Sequence, residues 1–408
     1  MPSSGLPCVH CGLCLDTCPT YRLLGKEADS PRGRIYLMEA IEDGSLLLDR
    51  EASSHLDSCL SCLACETACP SGVNFHARID AFRPRLQLSL TRQAGRALAQ
   101  RLSRMPYALR AGLTVSHALD RVGLESLRRR LPGLQIFTRP SVRRSGRGFG
   151  SALRSRIPPP TKARARAALL LGCAADVLAP FITRAAVETL HANGVAVVEV
   201  PKQVCCGALA LHGGDQRSVR SSIENNTRAF NAADADFVVA TAAGCGATLK
   251  EYGNLADAPI HDEARRVSSR ARDISEVLCT IGIGTPARPL CFEGPVAYHD
   301  ACHLLHAAKL SAPPRTVLAA ATSSAVIDLG ENHICCGSAG SYSLEKPRVA
   351  RVLGDRKAQL ADERTAAIVA VGNVGCIMQI ELALARRGSR IPVVHPVELL
   401  AEAYVQSQ

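Results

Sequence analysis

Eight cysteines near the start of the chain fall in two runs of identical spacing. They are Cys8-Val-His-Cys11-Gly-Leu-Cys14-Leu-Asp-Thr-Cys18-Pro19 and Cys59-Leu-Ser-Cys62-Leu-Ala-Cys65-Glu-Thr-Ala-Cys69-Pro70. The pattern C-x2-C-x2-C-x3-C-P binds iron–sulfur clusters. Two residues between each of the first three cysteines let the backbone curl around one face of an iron–sulfide cubane. The fourth cysteine lies past a longer spacer and points away, so it serves a different cluster. A pair of zinc sites would take four ligands each, usually from CxxC pairs, and leaves the regular third cysteine of each run unexplained.

In two-cluster ferredoxins the fourth cysteine of each run ligates the other cluster. The expected ligand sets are therefore Cys8, Cys11, Cys14 and Cys69 for one 4Fe-4S cluster, and Cys59, Cys62, Cys65 and Cys18 for the other. His10, His55 and His76 are expected to be ordinary hydrogen-bonding residues, because eight thiolates already complete both sets.

A second set of cysteines repeats along the chain. Cys173, Cys205-Cys206-Gly207 and Cys245 return as Cys302, Cys335-Cys336-Gly337 and Cys376, at offsets of 129, 130 and 131 residues. Each copy has one cysteine after its first strand-like run, an adjacent pair with glycine after its second, and one more after its third. The glycine permits a sharp turn that aims both thiols inward. Four soft ligands per copy suit another cluster or a thiophilic metal; the alternative is buried thiols that only shape a turn. His299 and His303 flank Cys302. Cys279 and Cys291 lie outside the repeat and read as plain thiols.

The elements that must position these residues can be outlined. Residues 1–82 form a helical domain, with an amphipathic helix started by Ser30 and Pro31 and another from Leu46 to Leu56. Residues 83–166 form a basic helical segment followed by a Gly- and Pro-rich linker, Arg143 to Arg166. Residues 167–290 and 291–408 form two lobes in which short apolar runs alternate with helical stretches, the signature of parallel sheets. The fold class is thus a helical two-cluster domain followed by two repeated α/β lobes, paired about a pseudo-twofold axis with their cysteines near a shared crevice.

Composition narrows the functional classes. There are 408 residues, of which 47% are apolar, and 18 cysteines. No basic and apolar leader opens the chain, so the cysteines read as reduced metal ligands in a cytoplasmic setting. No stretch is apolar enough to span a membrane. Net charge is +11, and it is unevenly placed. Residues 83–166 carry 20 Lys/Arg against Asp120 and Glu125, a local excess of +18. Such a stretch suits an anionic membrane surface, here the cytoplasmic face of the inner membrane, or an acidic partner. Eight Phe, seven Tyr and no Trp offer few platforms for base stacking, which argues against nucleic acid.

The motifs together resemble the iron–sulfur subunits of flavin-linked dehydrogenases, a family that includes the glycolate oxidase iron–sulfur subunit, the anaerobic glycerol-3-phosphate dehydrogenase small subunit and heterodisulfide reductase. The resemblance rests on Cys18-Pro-Thr-Tyr-Arg-Leu-Leu-Gly25, Ser30-Pro-Arg-Gly-Arg-Ile-Tyr-Leu-Met38, the second cysteine run through Val73, Cys335-Cys-Gly-Ser-Ala-Gly-Ser-Tyr342 and Gly375-Cys-Ile-Met-Gln379. It is strongest toward the glycolate oxidase subunits. It implies an electron-transfer subunit that receives electrons from FAD-bearing partner subunits oxidising glycolate to glyoxylate and passes them to a quinone-type acceptor. Another hydroxyacid or glycerol-3-phosphate dehydrogenase complex, or a heterodisulfide reductase-like catalytic subunit, is the alternative. Against the last, Thr248 and Gln379 stand where heterodisulfide reductase lobes complete a Cys-x-x-Cys pair. This chain has no convincing dinucleotide motif of its own; Gly337-Ser-Ala-Gly340 is too short.

Overall fold

A computed structural model describes residues 8–103, 105–122, 155–173 and 175–406. The N-terminal domain is helical, with α1 Pro19–Leu24, α2 Pro31–Glu42, α3 Arg50–Asp57, α4 Ala64–Thr67 and α5 Phe75–Phe82. Its helix starts follow local chemistry. Ser30 Oγ accepts from the Gly33 amide at 2.9 Å, and Pro31 occupies the first turn, where no amide donor is needed. The second expected helix starts later than Leu46. Asp49 accepts from the Ala52 amide at 2.8 Å and fixes the start at Arg50, leaving Leu47 exposed. Ile35, Met38, Leu56, Phe75, Ile79 and Phe82 form the small core between α2, α3 and α5. Burying each such side chain contributes about 1.5–3 kcal/mol.

Helices α6 (Leu90–Ser103) and α7 (Pro106–Arg121) follow. Pro106 interrupts the leucine-spaced run as the sequence suggests, and it begins the next helix. The expected linker lies largely outside the described residues. Where the chain returns it is already fixed: Arg156 pairs with the buried carboxylate of Glu188 at 2.8 Å, and Ile157 is buried.

The two lobes share one topology. The first sheet contains β1 Ala165–Leu169, β2 Val195–Val198, β3 Phe237–Ala240 and β4 Ala271–Asp273, in the order β2-β1-β3-β4. The second contains β5 Val296–Tyr298, β6 Val326–Asp328, β7 Ile368–Ala370 and β8 Val393–Val394, in the order β6-β5-β7-β8. Every pairing is parallel. The strands are short and apolar because helices cover both faces of each sheet.

A single apolar core joins the lobes. Leu169, Ile182 and Leu190 of the first belong to the same buried cluster as Val296, Val369 and Leu400 of the second. Helix Pro180–Ala192 packs on helix Pro396–Gln406, and helix Ile274–Ile281 packs on helix Ala312–Ala321. At the centre His395 Nε2 lies 3.0 Å from the Thr241 carbonyl of the other lobe. Burial drives its imidazole down to a pKa of about 4.

Candidate metal centres

The loop of the first cysteine run turns through Gly12 at φ +82°, and that of the second through Ser61 and Leu63 at positive φ. Cys8, Cys11, Cys14 and Cys69 line one cavity, which Cys65 also borders, together with Ile35, Pro70, Val73 and Phe75. Cys18, Cys59, Cys62 and Cys65 line a second, with Pro19, Arg34, Leu60 and Phe75. Each fourth cysteine thus borders the cavity of the opposite run.

The spacing of the thiols suits a cluster better than one ion. A tetrahedral ion with metal–sulfur bonds of about 2.3 Å draws its sulfurs to about 3.8 Å from one another. Among the described residues, no three of these eight thiols gather within 4.8 Å of one another. Burial pushes the Cys62 and Cys65 thiols well above the usual range, and Cys14 up to about 11. Thiols in such surroundings ionise when a cationic centre takes the place of their protons.

A buried polar network encloses the second cavity. Arg34, inside α2, is 1% exposed. Its Nε donates to the His55 carbonyl at 2.9 Å, and Nη2 to Thr20 at 3.0 Å and Ser58 at 2.7 Å. Nη1 lies 3.9 Å from Cys18 Sγ. Asp29 sits beneath, accepting from Ser58 at 2.7 Å and lying 3.0 Å from His55 Nδ1. The motif Ser30-Pro-Arg-Gly-Arg has a part for each polar member. Ser30 caps, Arg32 pairs with Glu27 at 2.8 Å, and Arg34 reaches the cluster site. At Gly33, a Cβ would stand 2.0 Å from the Glu27 carbonyl oxygen. His76 bonds Glu66 at 2.9 Å, so His55 and His76 are hydrogen-bonding residues in this structure.

The first cavity faces outward: Cys11 is exposed, with Val9 and Leu13 beside it. The second faces the lobes. Leu60, Cys62 and Ala64 pack with Ile334, Cys335, Tyr342 and Leu353, and Cys302 adjoins them. Tyr342 donates to the Ser58 carbonyl at 3.1 Å, and Thr67 Oγ1 lies 2.9 Å from His306 Nδ1. Arg83 donates to Ser61 Oγ at 2.7 Å and to the carbonyls of Cys59 and, in the first lobe, His212. From α6, Arg92 and Arg96 both pair with Asp57, and Arg96 also with Glu345 of the second lobe. Part of the basic segment is therefore spent tying the domains together.

Sheet order explains why four distant cysteines meet in each lobe. In a doubly wound sheet, ligands gather at the carboxyl ends of the strands where the order reverses, here between β1 and β3 or β5 and β7. The loops leaving three adjacent strands all end there. In the first lobe Cys205 lies 3.4 Å from Cys173, and Cys206 lies 3.2 Å from Cys245. In the second, Cys336 lies 3.0 Å from Cys376, and Cys302 hydrogen-bonds Cys335. Gly337 turns the chain at φ +86°, where a Cβ would meet the Ala350 carbonyl at 2.7 Å. That close approach is why glycine follows the cysteine pair.

The surroundings of the second lobe's thiols are less visible in the sequence. A short π-helical turn, His303–Ala307, follows Cys302, and the His303 ring lies 5.4 Å from that of His212 across the lobes. Lys357 is 1% exposed, donating to the carbonyls of Gly330 and Glu331. Burial lowers its pKa to about 8. Burial, with Lys357 nearby, also holds His299 well below the usual imidazole range, in its neutral form.

Two cubane-sized thiol sets in a helical domain, docked on a tandem pair of cysteine-bearing doubly wound lobes, define an iron–sulfur electron-transfer protein. Residues 5–73 match the 4Fe-4S dicluster domain family, and residues 167–250 and 296–381 each match the Cysteine-rich domain family. The first match means two 4Fe-4S clusters. The chain is 35% identical to the glycolate oxidase iron-sulfur subunit of Escherichia coli, across 97% of this chain and 93% of that one. It is 30% identical to the probable glycolate oxidase iron-sulfur subunit of Bacillus subtilis, across 98% and 94%. It is 26% identical to a fumarate reductase (CoM/CoB) subunit of Methanothermobacter marburgensis, across 97% of this chain and 72% of that one. The chain belongs to the family of glycolate oxidase iron–sulfur subunits. No helix among the described residues is long and apolar enough to cross a membrane.

Proposed function

We propose that this chain is the iron–sulfur subunit of a flavin-dependent glycolate dehydrogenase. In this reading it accepts electrons released as FAD-bearing partner subunits oxidise glycolate to glyoxylate, and delivers them to a quinone-type acceptor. Near-full-length likeness to two glycolate oxidase iron–sulfur subunits is the observation that carries the substrate. Cys8, Cys11, Cys14 and Cys69 hold one cluster, and Cys59, Cys62, Cys65 and Cys18 the other. The clusters supply one-electron steps, which a two-electron flavin donor requires. The protein's own residues exclude water from the inner site, position Cys62 against Cys302 and Cys335, and leave the Cys11 loop open as the face a donor would dock on. The eight lobe thiols are a second soft-ligand set. Domain limits at residues 82, 166 and 290 are part of the same reading.

The test is reconstitution with the partner subunits. Glycolate-dependent reduction of a quinone analogue is expected only when this chain is present, and the purified chain alone should carry iron but no flavin. Glycolate oxidation by this chain alone, or equal quinone reduction without it, would overturn the proposal.

The remaining arginines of residues 83–166 suit peripheral contact with an anionic membrane face. Co-sedimentation with anionic vesicles is expected at low salt and is expected to fall as ionic strength rises to about 0.5 M, since exposed charges are screened. Equal binding to neutral vesicles would refute a charge-driven attachment.

A further inference from the structure

The two lobes are copies in topology, but they differ at the position three residues before their first cysteine. The first lobe has Leu170 there, immediately after β1, and the second has His299, immediately after β5. Leu170 belongs to an apolar core cluster. His299 is 1% exposed, and neither ring nitrogen has a hydrogen-bond partner among the described residues. Leaving a buried polar group unsatisfied costs about 1–3 kcal/mol, so an imidazole with both nitrogens unpaired calls for an explanation.

The surroundings supply one. A ring nitrogen of His299 and the sulfurs of Cys336 and Cys376 all lie within 4.8 Å of one another, and all three residues are buried. Among the described residues no other group of three histidine, cysteine or acidic side chains converges so closely. Two thiolates and an imidazole match the ligand chemistry and spacing of a borderline-soft divalent cation. Asn373 Nδ2 donates to Cys376 Sγ at 3.3 Å, the kind of outer contact that orients a ligating sulfur. Cys335, whose sulfur accepts from the Gly337 amide at 3.4 Å, is hydrogen-bonded to Cys336 and is the adjoining further thiol.

We propose that the second lobe binds one divalent metal ion of the zinc class through His299, Cys336 and Cys376, and that the first lobe has no equivalent site. The eight lobe thiols then do not act as two matched sets. The second lobe carries a discrete mixed-ligand centre beside the inner 4Fe-4S site, and its imidazole ligand distinguishes it from an all-thiolate cluster.

The test uses the full chain, purified anaerobically with both clusters in place, loaded with zinc ion and then freed of loose metal. One zinc per chain is expected, with zinc absorption-edge spectra showing imidazole scattering in the first shell. His299→Leu, which installs the residue of the first lobe, should weaken zinc binding by more than the roughly 10–100-fold that outer-contact changes cost. His299→Cys should keep the zinc but give an all-sulfur shell. Iron content measured in the same samples should be unchanged in both variants, which separates this site from the two clusters. The proposal is overturned if wild-type protein keeps no zinc, if its zinc shell lacks imidazole, or if His299→Leu holds zinc like wild type. The wild-type spectrum decides the matter even if a variant fails to fold.

Discussion

Cys18→Ser is expected to remove the cluster held by the second cysteine run and spare the one held by the first. Iron should fall from about eight to about four per chain, given four irons per cluster. The reason is geometric. Cys18 belongs by sequence to the first run, yet it lines the cavity of Cys59, Cys62 and Cys65. Its sulfur lies 3.2 Å from Thr20 Oγ1 and near Arg34 Nη1, which are residues of that second site. The reciprocal change, Cys69→Ser, should spare the second cluster and remove the first. Low-temperature electron paramagnetic resonance of reduced protein, read beside Cys11→Ser as a marker for the outer cluster, assigns the lost signal. If Cys18→Ser and Cys11→Ser abolish the same signal, the crossed ligation is wrong. Because the inner site faces the second lobe, Cys18→Ser should also abolish partner-dependent quinone reduction.

The cysteine runs were legible because a cluster writes its geometry into local spacing. The lobes were legible because the cysteine repeat drifts by only two residues between its first and last offsets. Other features leave no local trace. Strands β4 and β8 are three and two residues long, too short to show a period. Asp49 caps α3 from within a run that reads as helix, so the expected start at Leu46 came too early. The docking contacts join Ser58 to Tyr342, Thr67 to His306 and Arg83 to His212, pairs far apart in sequence with no pattern in common. His299 stood out only as a neighbour of Cys302; its isolation appears once the lobe is folded around it. Arg34 occupies a helix position that reads as a solvated face, and the structure buries it.

That burial makes Arg34 the most consequential residue outside the thiols. Its guanidinium faces Asp29 at 3.7 Å, and its fork ties Thr20 beside Cys18 to Ser58 beside Cys59. It therefore holds one end of each cysteine run in a single place. Arg34→Met keeps the volume of the stem but leaves the buried Asp29 carboxylate without its guanidinium. Breaking one side of a buried pair costs about 3–5 kcal/mol, so the N-terminal domain should unfold at markedly lower denaturant, read by the loss of cluster absorbance. Arg34→Lys keeps the charge but not the planar fork, and a point charge cannot reach Thr20, Ser58 and the His55 carbonyl together. It should fall between wild type and Arg34→Met. A further consequence separates this account from simple packing: the inner cluster should bleach before the outer one in both variants, because Arg34 lines only the inner cavity. Simultaneous loss of both clusters, or stability within about 1 kcal/mol of wild type, the size of an exposed ion pair, would show that Arg34 does not organise the inner site.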